Sequence, residues 1–199
     1  LSAILSIFTW WIILKDFEHA MPAPRSNPKE VVATISNAER YKIEFTKEGT
    51  AIMFSGVVAP GAVVDFERFV LRSPQVETVV LNSTGGDIYE AREFAQDIRK
   101  YGLNTHVDTE CNSSCLLLFM AGEERTLGSG AKIGTHRYGL DFEQLRGNLG
   151  LIPEMRTDQQ YLLERGVTVD FLEQYFDLDR QSIWYPTRAA LLDARVLTQ

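Results

Sequence analysis

The chain has 199 residues, 45% of them hydrophobic and 24% charged, with a formal net charge of -7. Those proportions suit a globular protein with enough apolar mass for one ordinary core. The acidic balance, with no block of Lys and Arg, argues against a nucleic-acid partner, because phosphate binding needs a clustered basic face.

Residues 1–14, "LSAILSIFTWWIIL", are apolar apart from two serines and a threonine, and they end at the charged "KDFEH". Fourteen residues fall short of the ~20 that span a bilayer, yet two tryptophans at the polar edge suit a membrane interface. A helix buried in a soluble domain would normally show a polar face, and this one hardly does. Residues 1–19 therefore read as the apolar core of a signal peptide or a signal anchor. No clean A-x-A cleavage site follows, which favours the anchor. Residues 20–29 hold "AMPAPRSNP", whose prolines make an extended, solvated tether. The folded domain is placed at 30–199. An inner-membrane location with that domain on the periplasmic, extracytoplasmic side is expected.

"YKIEFTKEGTAIMFSGVV" alternates apolar and polar residues around Gly49, the pattern of two short strands and a turn. "APGAVVDFERFVLRS" reads as a helix, with Val64, Phe66, Phe69, Val70 and Leu71 expected on its buried side. "VETVVLNS" is a short, nearly continuous apolar strand of the kind buried on both faces. After Gly85-Gly86, Ile88, Ala91, Phe94, Ala95 and Ile98 fall at helical spacing, and Gly102 ends that helix. "LNTHV" is strand, "SCLLLFMAG" a buried helix and "AKIGTH" strand again. Short connections between alternating strands and helices imply parallel pairing and right-handed crossovers. The remaining sequence reads as two helices broken at Gly166 and a short final helix in "PTRAALLDARVLTQ". The fold class is α/β, in a single domain with an apolar N-terminal helix.

Chemistry is sought first among the three histidines. His19 lies beside the apolar segment and His106 inside a strand. His136 stands where "AKIGT" leaves the sheet, at the strand edge where open α/β sheets bind ligands. It could activate a serine of "CNSSC", since a hydroxyl is a poor nucleophile until a base takes its proton. The bland alternative is that Ser113 or Ser114 merely caps the following helix. Gly85 and Gly86, directly after a buried strand, permit positive φ and close approach of a substrate to the backbone. Amides there, or one there and one beside the serine, could hold an oxyanion, worth about 3–4 kcal/mol per donor. Cys111 and Cys115 bracket the serines. They could form a disulfide in an oxidising compartment, if their Cα atoms come within ~4.4–6.8 Å. Packing alone, or a cysteine nucleophile paired with His136, are the other readings. No His or second Cys pair lies close in sequence, so no metal site is expected.

In this order the features resemble the Clp protease proteolytic subunit and its relatives, within the crotonase-like superfamily. "LNSTGGDIYEA" resembles that family's strand-turn-helix motif, and "SSCLLLFMAG" its serine helix, in which Ala-Gly follows the nucleophile at a fixed distance. Counting back from Ala121-Gly122 selects Ser113. "GSGAKIGTH" resembles the strand that delivers the family's base, with His136 lying 23 residues after Ser113. The flanking cysteines and the tail resemble an exported bacterial subgroup. Thr84 replaces the usual proline before the glycine pair, and Arg195 stands where the family tends to have glycine.

The resemblance implies the family's spiral of ββα repeats and a serine peptidase. Ser113 would be the nucleophile and His136 the base, with oxyanion amides from Gly86 and Ser114. The acid would lie shortly before "WYPT", where the aligned positions are Gln181 and Ser182; Asp179 is the chosen carboxylate, with Asp177 also near. Peptide or protein substrates, no cofactor, and assembly into a homo-oligomer are implied. No P-loop is present, so ATP use would require a partner. A catalytically inactive Clp-like protein that binds peptides or assembles with partners is the alternative, and a crotonase-like acyl-thioester enzyme a third.

Overall fold

The computed structural model describes residues 34–37, 40–136, 151–176 and 183–199, all within one compact unit, Ala33–Gln199. The expected apolar segment and tether lie outside the described residues. Among those described, no helix is long and apolar enough to cross a membrane.

Strands β1 (Thr34–Asn37), β2 (Tyr41–Phe45) and β3 (Ala51–Val58) pair antiparallel in succession. The β2–β3 turn passes through Gly49 at φ 72, the left-handed region that glycine enters without penalty. From β3 onward the pairing is parallel. Helix α1 (Ala62–Arg72) connects β3 to β4 (Thr78–Gly86), and α2 (Ile88–Lys100) connects β4 to β5 (Asn104–Asn112). The sheet is therefore mixed, an antiparallel edge continued by the expected parallel strands.

Beyond β5 the chain forms the buried helix α3 (Cys115–Met120) and two three-residue strands, β6 (Arg125–Leu127) and β7 (Lys132–Gly134). Both pair with β5, one after the other. β6 lies along Thr105–Val107 and β7 along Glu110–Asn112. That division carries β7 alongside the last residues of β5, just before "SS". Helices α4 (Leu151–Glu164), α5 (Val169–Phe176) and α6 (Arg188–Asp193) follow, with Gly166 at φ 91 between the first two.

The core lies where α1 and α2 pack on the sheet. Phe54 of β3 meets Phe94 of α2 edge to face at 5.2 Å between ring centres, and Phe66 of α1 lies 4.4 Å from Phe94. All three rings are fully buried, each contributing about 1.5–3 kcal/mol of transfer free energy. β4 reads as expected, with Val79, Val80 and Leu81 all buried, as a central parallel strand requires.

One expectation for α1 is corrected. Its buried residues are Ala62, Phe66, Phe69 and Val70, whereas Val64 is 50% and Leu71 67% exposed. At about 100° per residue, Val64 and Leu71 stand roughly 180–200° around the helix from Ala62, so they cannot share its face.

Candidate active site

The turn between β5 and α3 is made by Ser113 and Ser114. Ser113 has φ 55, and only one other non-glycine among the described residues, Arg195, is left-handed. An L residue avoids this region because its Cβ crowds the following carbonyl. Here the fold enforces it. The Ser113 amide donates to the Gly134 carbonyl at 2.9 Å, fastening the turn to the end of β7. Neither serine caps the helix: Ser114 is the N-cap residue but makes no side-chain capping bond. Its hydroxyl instead donates to the Gly86 carbonyl at 3.2 Å.

The glycine pair sits directly against this turn. A Cβ added to Gly85 would come within 2.6 Å of the Asn112 carbonyl oxygen, 2.8 Å of Ser113 Cβ and 3.1 Å of the Ser114 nitrogen. Gly85 is buried at φ 90, and its amide donates to Ser83 Oγ at 3.1 Å. That bond commits Gly85 to shaping the turn. Gly86 is exposed at φ 151, packed by its own backbone on Val58. The following helix is secured by Asp87, whose carboxylate accepts from the Tyr89 and Glu90 amides.

His136 lies two residues beyond Gly134, the residue that holds Ser113, and is half-buried. Between them Thr135 forms a two-way antiparallel bridge with Trp184, with N–O distances of 2.9 and 2.8 Å. The chain after residue 182 is thus stitched to the segment that runs from the end of β7 to His136. Asp179 and Asp177, together with Gln181 and Ser182, lie outside the described residues. His106 is remote from this turn, its Nδ1 being 2.7 Å from Thr126 Oγ1 and its Nε2 3.3 Å from Asp108.

Two buried acceptors flank the serine turn without a hydrogen-bond partner among the described residues: Asn112 Oδ1 and Thr135 Oγ1. Asn112 immediately precedes Ser113, and Thr135 immediately precedes His136. Orphaned buried polar atoms are few in native proteins and call for an explanation, of which a functional site is one. Among the described residues no group of three or more His, Cys, Asp or Glu is gathered as a metal site.

Sequence reasoning missed the supports of α3. Arg165 donates to the Met120 and Gly122 carbonyls, both at 2.8 Å, and Arg125 donates to Gly122 at 3.1 Å. Two guanidiniums therefore satisfy the carbonyls at the end of the serine helix. Burial, and then the neighbouring Arg165, pull the Arg125 pKa below its ordinary value. Tyr161 adds a bond from its hydroxyl to the Leu117 carbonyl at 3.1 Å, and burial pushes that phenol up to about 12. An Arg three residues past Gly122 was the available signal, since cations gather at helix C-termini.

The mixed sheet with parallel β-α-β crossovers is similar in fold to Clp-type structures. Among solved structures, a point mutant of ClpP1 from Listeria monocytogenes superposes with a TM-score of 0.60 at 14% identity, covering 74% of this chain and 88% of that one. ClpP1 from Listeria monocytogenes gives 0.59 at 12% identity with the same coverage. A point mutant of the 1510-N membrane-bound stomatin-specific protease gives 0.56 at 14%, covering 74% of this chain and 76% of that one. No family model and no curated protein matches the sequence.

Proposed function

We propose that this chain is a serine hydrolase, a peptidase that works without ATP. Ser113 attacks the scissile carbonyl, His136 takes its proton, and the amides of Gly86 and Ser114 hold the oxyanion. Asp179 orients the imidazole; it lies four residues before Ile183, on the segment that leads into the Trp184 bridge to Thr135. An acid in that position keeps the base in the correct tautomer and stabilises the imidazolium. Substrates are peptides or proteins, and the enzyme works as a homo-oligomer.

The observation that carries this reading is the left-handed φ of 55 at Ser113, wedged between Gly85 and Gly134. Backbone strain kept at a non-glycine residue points to function when the surroundings over-determine it. A sharp strand-to-helix turn is also how other hydrolases lift a serine hydroxyl clear of its sheet.

The membrane anchor of residues 1–19, the tether of residues 20–29 and the extracytoplasmic setting belong to the same proposal. The disulfide between Cys111 and Cys115 supports that setting, since such bonds persist where the environment is oxidising. A fluorophosphonate probe tests the chemistry. Labelling that disappears in Ser113→Ala and persists in Ser114→Ala is the expected result. A folded protein that stays unlabelled across pH 6–9 is instead a Clp-like binder without hydrolytic activity.

A further inference from the structure

Cys111 and Cys115 are joined by a disulfide, with Cα atoms 5.3 Å apart, and both are fully buried. Their sequence separation is 4, and Ser113 is the midpoint. So short a cross-link is a weak global staple, because the unfolded-state entropy it removes grows with loop length. Its effect is local instead. Cys111 is fixed inside the sheet, in register with Ser83 on β4 and Ile133 on β7. Cys115 is the first residue of the buried helix α3. The two sulfurs tie the strand end to the helix start and confine the turn that contains Ser113.

We propose that this disulfide is a positioning element. It holds Ser113 in its left-handed conformation, so the site is competent when the bond is oxidised and loses competence when it is reduced. The inference rests on Ser113 as nucleophile for its activity readout, though not for its structural one. The Ser113 amide bond to Gly134 and the contact with Gly85 act on the strand side of the turn. On the helix side the Ser114 hydroxyl bond to Gly86 is a further tie, and the disulfide is the covalent cross-link added to it. On reduction a dithiol supplies two electrons, the S–S bond breaks, each sulfur gains a proton, and the reductant closes to a cyclic disulfide. The unbonded sulfurs must then separate to van der Waals contact between two fully buried positions, and the serine turn is the segment between them.

The experiment uses the full chain in three forms: oxidised, reduced with dithiothreitol until two thiols per chain titrate, and Cys111→Ala/Cys115→Ala. Fluorophosphonate labelling of Ser113 is expected to slow tenfold or more in the second and third forms, and to recover when the reduced protein is reoxidised. Equal labelling rates in folded oxidised and reduced protein would overturn the proposal. A second arm needs no activity. Ser113→Gly relieves the left-handed strain, so it should raise Tm by about 2–4 °C in the disulfide-bonded protein. Once the disulfide is gone the same change should no longer raise Tm and should lower it slightly, through the greater freedom of unfolded glycine. Equal gains in both backgrounds would show that the bond does not impose the conformation. If the oxidised protein is never labelled, the hydrolase reading falls by itself, and the Tm comparison still decides the clamp. Reduced wild-type protein supplies that comparison should the double alanine variant fail to fold.

Discussion

Ser113 Cβ lies 2.8 Å from the point at which a side chain on Gly85 would begin. The glycine turn and the serine turn therefore fit together only because one of them lacks a side chain. Gly85→Ala meets two penalties, the strained φ of 90 and collision with the Asn112 carbonyl at 2.6 Å. Backbone atoms cannot rotate away as a flexible side chain can. A loss of about 2–4 kcal/mol is expected in urea unfolding. Probe labelling of whatever folds should also fall, since the displaced neighbour is Ser113 itself. Wild-type stability together with a wild-type labelling rate would show that the two turns are not coupled.

Arg125 is the second test, because it links the serine helix to the C-terminal tail. Its guanidinium donates to the Gly122, Val196 and Arg195 carbonyls at 3.1, 2.9 and 3.0 Å. Lysine keeps the charge but cannot span three acceptors that lie around a planar fork. Arg125→Lys is expected to cost about 2–3 kcal/mol, the range for losing charged hydrogen bonds and stranding buried carbonyls. Chemical denaturation reads the loss. A shift below 0.5 kcal/mol would mean that water replaces the lost donors easily.

The motif around the glycine pair was legible because it depends on local chemistry. An apolar strand, two glycines and a helical spacing of Ala91, Phe94, Ala95 and Ile98 each left a signature in consecutive residues, and β4 and α2 form there. β6 and β1 left none. Three or four residues are too few to establish alternation, and their pairing is set by partners distant in sequence. Val64 and Leu71 misled because apolar character was counted without its angular phase. The support from Arg165 is tertiary, since its carbonyl acceptors lie more than forty residues back, whereas Arg125 reaches Gly122 only three residues away and so left a local signal that went unread. Serine capping was the simplest local reading of "NSS", but Ser114 Oγ turns to Gly86 instead, a partner 28 residues away.

Arg195 offers a prediction of opposite sign. It follows the Ccap residue Ala194 at φ 59, its amide bonded to the Leu192 carbonyl and that of Val196 to Leu191. This is the paired-bond helix ending that normally takes glycine. The Arg195 side chain is exposed, and the carbonyl that Arg125 uses survives substitution. Arg195→Gly is therefore expected to stabilise the domain by about 0.5–1 kcal/mol, once the greater freedom of unfolded glycine is set against the relieved strain. Calorimetry should show Tm rising by about 1–4 °C. A fall in Tm would mean that the arginine makes a compensating contact.

The last prediction concerns acid. Asp158 on α4 is 2% exposed, with Oδ1 accepting from Arg92 Nε at 2.6 Å and Oδ2 lacking any hydrogen-bond partner among the described residues. Burial raises its pKa above the ordinary carboxylate value, although the bond to Arg92 and its charge pull the other way. With the folded pKa raised, the folded state binds the proton more tightly than the unfolded one. The stability gained from protonation is fully present below the unfolded value of about 3.9 and is lost as pH climbs through the folded value. Asp158→Asn keeps the shape and an acceptor for Arg92 but cannot ionise. Measured by urea unfolding at steps from pH 3.5 to 7, wild-type stability should therefore decline relative to Asp158→Asn as pH rises. Glu154, which also pairs with Arg92, is present in both proteins and largely cancels in the difference. If the gap between the two proteins stays constant across that range, the carboxylate does not titrate as its burial requires. If the wild type instead gains on the variant with rising pH, the attraction of Arg92 outweighs desolvation at this site.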